Sequence, residues 1–151
     1  MAGWAPFSPD SDPHDLARFV EAQATTYDRA LTEIRQGRKQ SHWMWFIFPQ
    51  IAGLGRSPTA QRYAIQSLQE AIAYLAHPVL GPRLLECTEA VLAIEHRSAF
   101  EIFGQADDVK LRSSATLFAL VSQPPSVFDR LLDKYFGGER DDRTIRLVVG
   151  T

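Results

Sequence analysis

Apolar residues recur at helical spacing along most of this chain. Near the start, Leu16, Phe19 and Val20 follow Asp12 and the proline after it, a pairing of capping residue and first-turn proline that begins helices. The same period returns from about Thr26 to Gln36, where a glycine would end the second helix. The pattern therefore predicts a pair of helices at the start of the folded chain.

Five further segments show the helical period after residue 56. Serine or aspartate stands at the start of four of them, and proline or glycine follows the end of the same four, as is usual at helix termini. Ser98 and Glu101 match a capping box. The segments begin near residues 57, 80, 98, 107 and 126, and the first of them is predicted to run unbroken to Leu75. We predict an all-α domain of six or seven helices, followed by an extended C-terminal tail that docks on it.

Six large apolar residues in a row, Trp43 to Phe48, interrupt the helical pattern and contain two of the three tryptophans. The run is too short for periodicity to separate a strand from a helix. Aromatic side chains bury roughly 150–250 Å² each, so this segment is expected at the centre of the fold. Residues 1–12, rich in proline, serine and aspartate, are interpreted as a loose leader, and residues 13–151 as a single domain.

The composition argues against two classes of binding partner, nucleic acid polymers and membranes. A chain of 151 residues is the size of one domain, and its net charge of −2 offers no overall field for a nucleic acid polymer or an anionic membrane. No apolar stretch approaches the roughly 20 residues of a membrane span, and the first residues do not resemble a signal peptide. The single Cys87 excludes an internal disulfide. We therefore expect a cytoplasmic protein, and nothing in the pattern specifies an oligomeric state.

Candidate chemistry starts with His42, beside Trp43 and Trp45. A histidine at an aromatic pocket can act as an acid or base, while the indoles stack on a planar ligand. Gln50, which closes the run, is a further candidate ligand-binding residue. The competing interpretation is that all of these residues only build the core.

A second candidate site is an anion site after this run. Arg56 and Ser57 stand where a glycine-containing turn leads into a predicted helix, and the N-terminus of a helix attracts phosphate. The glycine pattern is not that of a P-loop, because no Gly-Lys-Ser/Thr follows it. An ordinary solvated helix end is the alternative.

Lys110 and Ser113 form a third candidate, since they share one face of a predicted helix. The lysine could bind phosphate, or act as a base if burial lowered its pKa. Asp142, in a pair of adjacent aspartates, is a fourth candidate that could act through Mg²⁺ and a bound phosphate. The four histidines lack metal-ligand spacing, so neither a protein-bound metal site nor a cofactor is predicted.

The chain resembles a family of uncharacterised bacterial and fungal proteins, some of which carry the misleading name "calpastatin". The resemblance extends from about Pro13 to Leu147. It is carried by Ser41-His42-Trp43-Met44-Trp45-Phe46-Ile47-Phe48-Pro49-Gln50, by Leu80-Gly81-Pro82-Arg83-Leu84, and by Thr116-Leu117-Phe118. It implies a mainly helical single domain and brings no established activity. A more remote similarity to NADAR proteins, which are linked to ADP-ribose-type compounds, implies no residue roles.

Two functional hypotheses follow. In the first, the domain binds or processes a phosphorylated, nucleotide-like small molecule, with His42 and Lys110 as catalytic residues. The base would stack on Trp43 or Trp45, and the phosphate would meet Arg56, Ser57 or Lys110. In the second, the domain is a non-catalytic interaction module whose aromatic segment, residues 41–50, forms a groove for a peptide or a partner helix.

Overall fold

The computed structural model of the protein describes residues 11–149. Ten α-helices lie in this part of the chain, which confirms the all-α class but exceeds the six or seven helices predicted. Their bounds are α1 Ala17–Ala24, α2 Tyr27–Arg35, α3 Met44–Ile47, α4 Pro58–Arg62, α5 Leu68–Ala76, α6 Leu80–Ala93, α7 Ala99–Phe103, α8 Asp107–Leu120, α9 Val127–Phe136 and α10 Asp142–Val149. Only the last two residues of the predicted leader fall within the described part, so the leader remains a prediction.

Short polar side chains begin several helices where the sequence predicts them. Ser57, Ser98 and Ser126 each accept a hydrogen bond from the backbone N–H three residues on, at the starts of α4, α7 and α9. The last two are complete capping boxes, which satisfy two otherwise unpaired N–H groups each. Asp12 accepts hydrogen bonds from the N–H groups of residues 16 and 17, at 2.8 and 2.9 Å, and so caps the start of α1.

The aromatic segment, residues 41–50, contributes to the centre of the core, and α3 is its middle part. Trp43 is fully buried, with its ring edge-on to Phe103 at a centroid separation of 6.3 Å and tilted against Phe48 at 6.4 Å. The same apolar cluster draws buried side chains from α2, α5, α6, α8 and α9, among them Ile34, Tyr74, Leu84, Leu117 and Leu132. The segment is therefore core for most of its length, as its composition predicts.

The predicted unbroken helix over residues 57–75 is wrong in its middle, where α4 ends and α5 begins after a five-residue break. Within the break, Ile65 pairs with Ile51 in an isolated parallel bridge. Its N–H donates to the Gln50 carbonyl and its carbonyl accepts from the Ala52 N–H, both at 2.8 Å. Because Ile65 is also fully buried, tertiary pairing overrides the helical period here.

The predicted extended tail is also wrong, because residues 142–149 form α10. Asp141 precedes this helix, and its carboxylate accepts hydrogen bonds from Ser113 and from Thr144 in the first turn. An added Cβ at Gly53 would lie 3.1 Å from Leu147 of α10, so the helix packs on the glycine turn. The aspartate cap predicted for α8 is likewise absent, since Asp107 is already helical.

The His77 side chain is a capping group that the sequence did not predict. Its Nδ1 accepts hydrogen bonds from the N–H groups of Val79 and Leu80, at 3.1 and 3.2 Å, at the start of α6. Burial lowers the pKa of this imidazole below its ordinary value, against a weaker opposing effect of Asp12. The neutral ring is therefore the form that the folded state favours.

We expect His77→Ala to lower the free energy of unfolding by about 1 kcal/mol at pH 7.5, as for other lost caps. Since the folded-state pKa is lowered, the contribution is complete above the unfolded pKa of about 6.5 and is lost as the pH falls below it. Urea unfolding of the parent and of His77→Ala at pH 7.5 and pH 5 measures the free energy of unfolding of each. The difference between the two free energies should be smaller at pH 5 than at pH 7.5. An unchanged difference would contradict the role of the neutral ring.

Candidate functional site

A cleft of about 350 Å³ opens between the aromatic segment and the break that separates α4 from α5. Two aromatic side chains, Trp45 and Tyr63, and three glutamines, Gln50, Gln61 and Gln66, contribute to its lining. The remaining lining residues are small or aliphatic: Ile51, Ala52, Gly53, Gly55, Ala60 and Ala64. None of these side chains carries a charge, so the cleft is polar and neutral.

The break in the predicted helix creates this cleft. The parallel bridge between Ile51 and Ile65 holds the two walls together through backbone hydrogen bonds. Gly55 permits a close approach, because an added Cβ there would lie only 2.6 Å from the Cβ of Ala60 and 3.7 Å from the six-membered ring of Trp45. Glycine at position 55 therefore lets the turn lie close to both α4 and Trp45.

The glutamine side chains retain unused hydrogen-bonding capacity. Gln61 donates from Nε2 to the Arg56 carbonyl at 3.0 Å, and Gln66 donates to the Ala64 carbonyl at 3.4 Å. Neither amide oxygen accepts a hydrogen bond from another of residues 11–149. The Gln50 side chain takes no part in the side-chain hydrogen bonds of residues 11–149 and is only partly buried. Amide groups can both donate and accept, so the lining can recognise a ligand with a mixed hydrogen-bonding edge.

A cluster of charged side chains adjoins Trp45 and is not part of the cleft lining. The Lys110 ammonium is 4.1 Å from the centroid of the Trp45 ring and 3.0 Å from Asp107 Oδ1. The Lys39 ammonium is 2.9 Å from the other oxygen of the same carboxylate. Burial raises the pKa of Asp107, but its hydrogen bonds with the two lysines outweigh that effect and the pKa is lowered. Trp45 is thus shared between the cleft and this cluster.

A buried carboxylate organises the loop before the aromatic segment. Glu33 Oε1 accepts hydrogen bonds from the N–H groups of Gln40 and Ser41 and from the Trp43 indole, at 2.8 to 2.9 Å, while Oε2 accepts from the Ser41 hydroxyl at 2.6 Å. Burial raises the pKa of Glu33, but these four donors more than offset it and lower the pKa to about 2. This role could not be read from the sequence, where Glu33 is one acid within an amphipathic helix.

A second buried charge, Arg18, is also a structural group that sequence reasoning missed. Its guanidinium is 2.6 Å from Glu70 Oε2, and both side chains are almost fully buried. The other N–H groups donate to the carbonyl oxygens of His14, Asp15, Arg62 and Ala64. With all its donors engaged, Arg18 ties α1 to the break and to α5. The only signal in the sequence is a charged residue next to apolar helix positions.

The residues predicted around the aromatic segment divide into two groups. Trp45 and Gln50 line the cleft, whereas Trp43 is fully buried and its N–H is engaged with Glu33, so it cannot stack on a ligand. His42 is exposed and is not among the residues that line the cleft.

The predicted anion site after the aromatic segment is a short turn of helix. Arg56 is exposed next to the cleft, where its carbonyl is bonded to Gln61. The Ser57 hydroxyl is engaged with the N–H of Ala60. Since α4 has only five residues, it provides no extended helix dipole for an anion.

The residues predicted in the second half of the chain lie apart from the cleft. Lys110 contacts Trp45 from outside the cleft, while Ser113 is buried and donates to Asp141, so these two side chains serve different partners. Asp142 is exposed in the first turn of α10.

Among residues 11–149, no group of three histidine, cysteine, aspartate or glutamate side chains is arranged to hold a metal ion. Burial raises the pKa of Cys87 to about 12, as expected for an unreactive thiol.

Comparison with known proteins identifies relatives without an assigned activity. The chain is 56% identical to the conserved hypothetical protein Rv1873 from Mycobacterium tuberculosis, whose crystal structure superimposes with a TM-score of 0.91 over 93% of this chain and 100% of that one. No curated protein gives a significant match, and the remote similarity to NADAR proteins gains no support. In residues 11–149, none of the helices is long and apolar enough to cross a bilayer. The family described as "Protein of unknown function (DUF1810)" matches residues 13–148, and the chain belongs to that family.

Proposed function

We propose that this protein binds a phosphorylated, nucleotide-like small molecule, with the planar ring in the cleft and the phosphate outside it. The observation that carries the proposal is the lining of the cleft by two aromatic and three glutamine side chains around about 350 Å³. Ligand pockets commonly range from about 300 to 1,000 Å³, so this cleft has room for one ring system and an attached sugar.

The lining suits a heterocyclic base. Trp45 and Tyr63 offer aromatic surface, on which bases stack regardless of their identity. The amides of Gln50, Gln61 and Gln66 can donate to and accept from the edge of such a ring, as glutamine does in base recognition. An uncharged ring loses less hydration free energy on entering a neutral cleft than a charged group would.

The phosphate would lie at the rim, where two exposed arginines adjoin lining residues. Arg56 is exposed and is joined through its carbonyl to Gln61 of the lining. Arg62 is also exposed, with its guanidinium 5.5 Å from the centroid of the Tyr63 ring. Arginine at an open rim can pair with phosphate without burying an unpaired charge.

The geometry favours binding over catalysis. Among the residues that the structure describes, no histidine, lysine, cysteine or carboxylate lines the cleft, and a general acid or base must come within hydrogen-bond reach of the reacting atoms. His42 and Lys110, the candidate catalytic residues, both lie outside the lining. The interaction module built on the aromatic segment is not favoured either. Trp43, Met44, Ile47 and Phe48 are buried, so that segment has little apolar surface to offer a partner.

Binding can be tested with adenosine, AMP, ADP-ribose and ribose 5-phosphate by thermal shift and calorimetry. A compound present at a hundred times its Kd should stabilise the protein by about 2.7 kcal/mol. We expect AMP or ADP-ribose to bind, and Gln50→Ala to weaken that binding about tenfold because it removes an amide from the lining. Gln69→Ala, at an exposed position outside the lining, is the matched control and should bind like the parent.

The outcomes separate the parts of the proposal. Absence of binding by all four compounds would refute a nucleotide-like ligand. Equal weakening by Gln50→Ala and Gln69→Ala would place the binding site outside the cleft. Binding of ribose 5-phosphate as tight as that of AMP would show that the ring is not recognised.

A further inference from the structure

Trp45, one of the residues that line the cleft, also contacts a cation. Trp45 lines the cleft, and the ammonium of Lys110 lies 4.1 Å from the centroid of the indole ring. A cation at this distance is attracted by the electron-rich face of the ring. Because Lys110 is only 22% exposed, water screens this attraction less than it would on an open surface.

The position of the ammonium is itself fixed. Asp107 holds Lys110 through one carboxylate oxygen at 3.0 Å and Lys39 through the other at 2.9 Å. Lys39 has a side chain only 9% exposed and also donates to the Ser41 carbonyl at 2.6 Å. The second lysine therefore anchors the carboxylate, which restricts where the first can place its charge.

Trp45 also adjoins the glycine turn at Gly55. An added Cβ at Gly55 would lie 3.7 Å from the Cη2 and Cζ3 atoms of the indole, so this edge of the ring is close to the backbone there. The indole therefore has a steric neighbour in the turn and an electrostatic partner in Lys110.

We propose that Lys110 is a positioning residue that holds the Trp45 indole in place as a wall of the cleft, with Asp107 and Lys39 setting the position of its charge. Its influence on ligand binding rests on the proposed function, whereas its effect on the indole does not require a ligand. This role replaces the catalytic role that the sequence suggested for Lys110.

Tryptophan fluorescence tests the proposal on the 151-residue chain. In a Trp4→Phe background, the emission comes from Trp43, which is fully buried, and from Trp45, which is partly exposed. We expect Lys110→Met to raise the acrylamide quenching constant about twofold, because the indole loses its cationic contact and moves more freely. Lys110→Arg keeps a cation that can stack on the ring, so it should stay close to the parent value.

Lys134→Met is the matched control. That lysine also lies over an aromatic ring, since its ammonium is 5.3 Å from the centroid of Tyr135. It belongs to α9, far along the chain from Trp45. Lys134→Met should leave the quenching of Trp45 unchanged. The proposal would be overturned if Lys110→Met had the same acrylamide quenching constant as the parent. Thermal unfolding of both proteins verifies that they are folded at the temperature of the measurement. Equal increases in the Lys110 and Lys134 variants would also overturn the proposal.

Ligand titrations distinguish the positioning role of Lys110 from the proposed nucleotide-binding function. AMP and ADP-ribose are titrated into the parent and Lys110→Met under identical conditions. If the parent binds either compound, Lys110→Met should bind it several-fold more weakly and Lys110→Arg should restore most of the affinity. If the parent binds neither, the proposed function fails, while the quenching result still decides the role of Lys110.

Discussion

Gly81→Ala is expected to destabilise the protein by about 3 kcal/mol, although alanine is the better helix former. Gly81 lies in the first turn of α6, and an added Cβ would be 2.1 Å from the carbonyl oxygen of Leu75 in α5. That oxygen belongs to the backbone, so no side-chain rotation can relieve the contact. The two helices would have to move apart, and the buried side chains between them would lose their packing.

Helix propensity alone predicts the opposite sign, a gain of about 0.5–1 kcal/mol for glycine to alanine inside a helix. Urea unfolding of Gly81→Ala and the parent therefore separates the two effects. Gly104→Ala is a useful control, because Gly104 has a φ of 82° and no atom within 4 Å of an added Cβ, so it reports backbone strain without a collision. A Gly81→Ala protein as stable as the parent would show that α5 and α6 can separate at little cost.

The helices themselves were largely predictable, because their signals are local. Ser98 and Ser126 carry their capping partners three residues away, so the boxes at α7 and α9 can be identified without any tertiary information. The class of fold follows from such short-range patterns. The same reasoning failed for residues 142–149, where an apolar run of a few residues did not show whether it was extended or helical.

The cleft was not predictable in the same way, because it depends on a long-range pairing. Residues 57–75 have helical spacing throughout, yet the bridge between Ile65 and Ile51 breaks that helix and opens the cleft. Trp45 and Gln50 were identified from the sequence because they stand in an unusual segment. Tyr63, Gln61 and Gln66 were missed, since all three fell within one long predicted helix, whose break at residues 63–67 could not be foreseen.

Burial was the other quantity that the sequence could not supply. His42 and Trp43 are neighbours in the chain, but one is exposed and the other completely enclosed. Likewise, Arg18 and Glu70 are 52 positions apart, and only the folded structure shows that they form a buried ion pair. A charged residue in an amphipathic helix is usually solvated, so sequence alone favours the wrong description of both.

The other large effect is expected at Glu33, where replacement by alanine should cost about 3 kcal/mol or more. The change would leave two backbone N–H groups, the Ser41 hydroxyl and the Trp43 indole N–H without their acceptor. Buried donors that lose a charged partner cost roughly 1–3 kcal/mol each, partly recovered where water can enter. The indole is fully buried, so it has the least chance of finding a replacement.

Glu33→Gln isolates the charge from the shape. The amide keeps one oxygen acceptor but presents N–H groups where the other carboxylate oxygen accepts hydrogen bonds, so a loss of about 2 kcal/mol at pH 7 is expected. The side-chain volume is nearly unchanged, which removes the cavity that alanine would introduce. The loss of stability in Glu33→Gln therefore reports the lost hydrogen-bond acceptor, and the additional loss in Glu33→Ala reports the lost packing.

The pH dependence provides the sharper test. The pKa of Glu33 is lowered from an ordinary value near 4.5 to about 2, so its contribution is complete above the unfolded pKa and is lost as the pH falls towards the folded pKa. The difference in free energy of unfolding between the parent and Glu33→Gln should thus be constant from pH 7 to 5 and shrink from pH 4.5 to 3. Urea unfolding at these pH values measures it, with Glu139→Gln, in the loop after α9, as an exposed control. A difference that stays constant down to pH 3 would mean that Glu33 does not act as a buried carboxylate, and that the loop before Trp43 is held by other contacts.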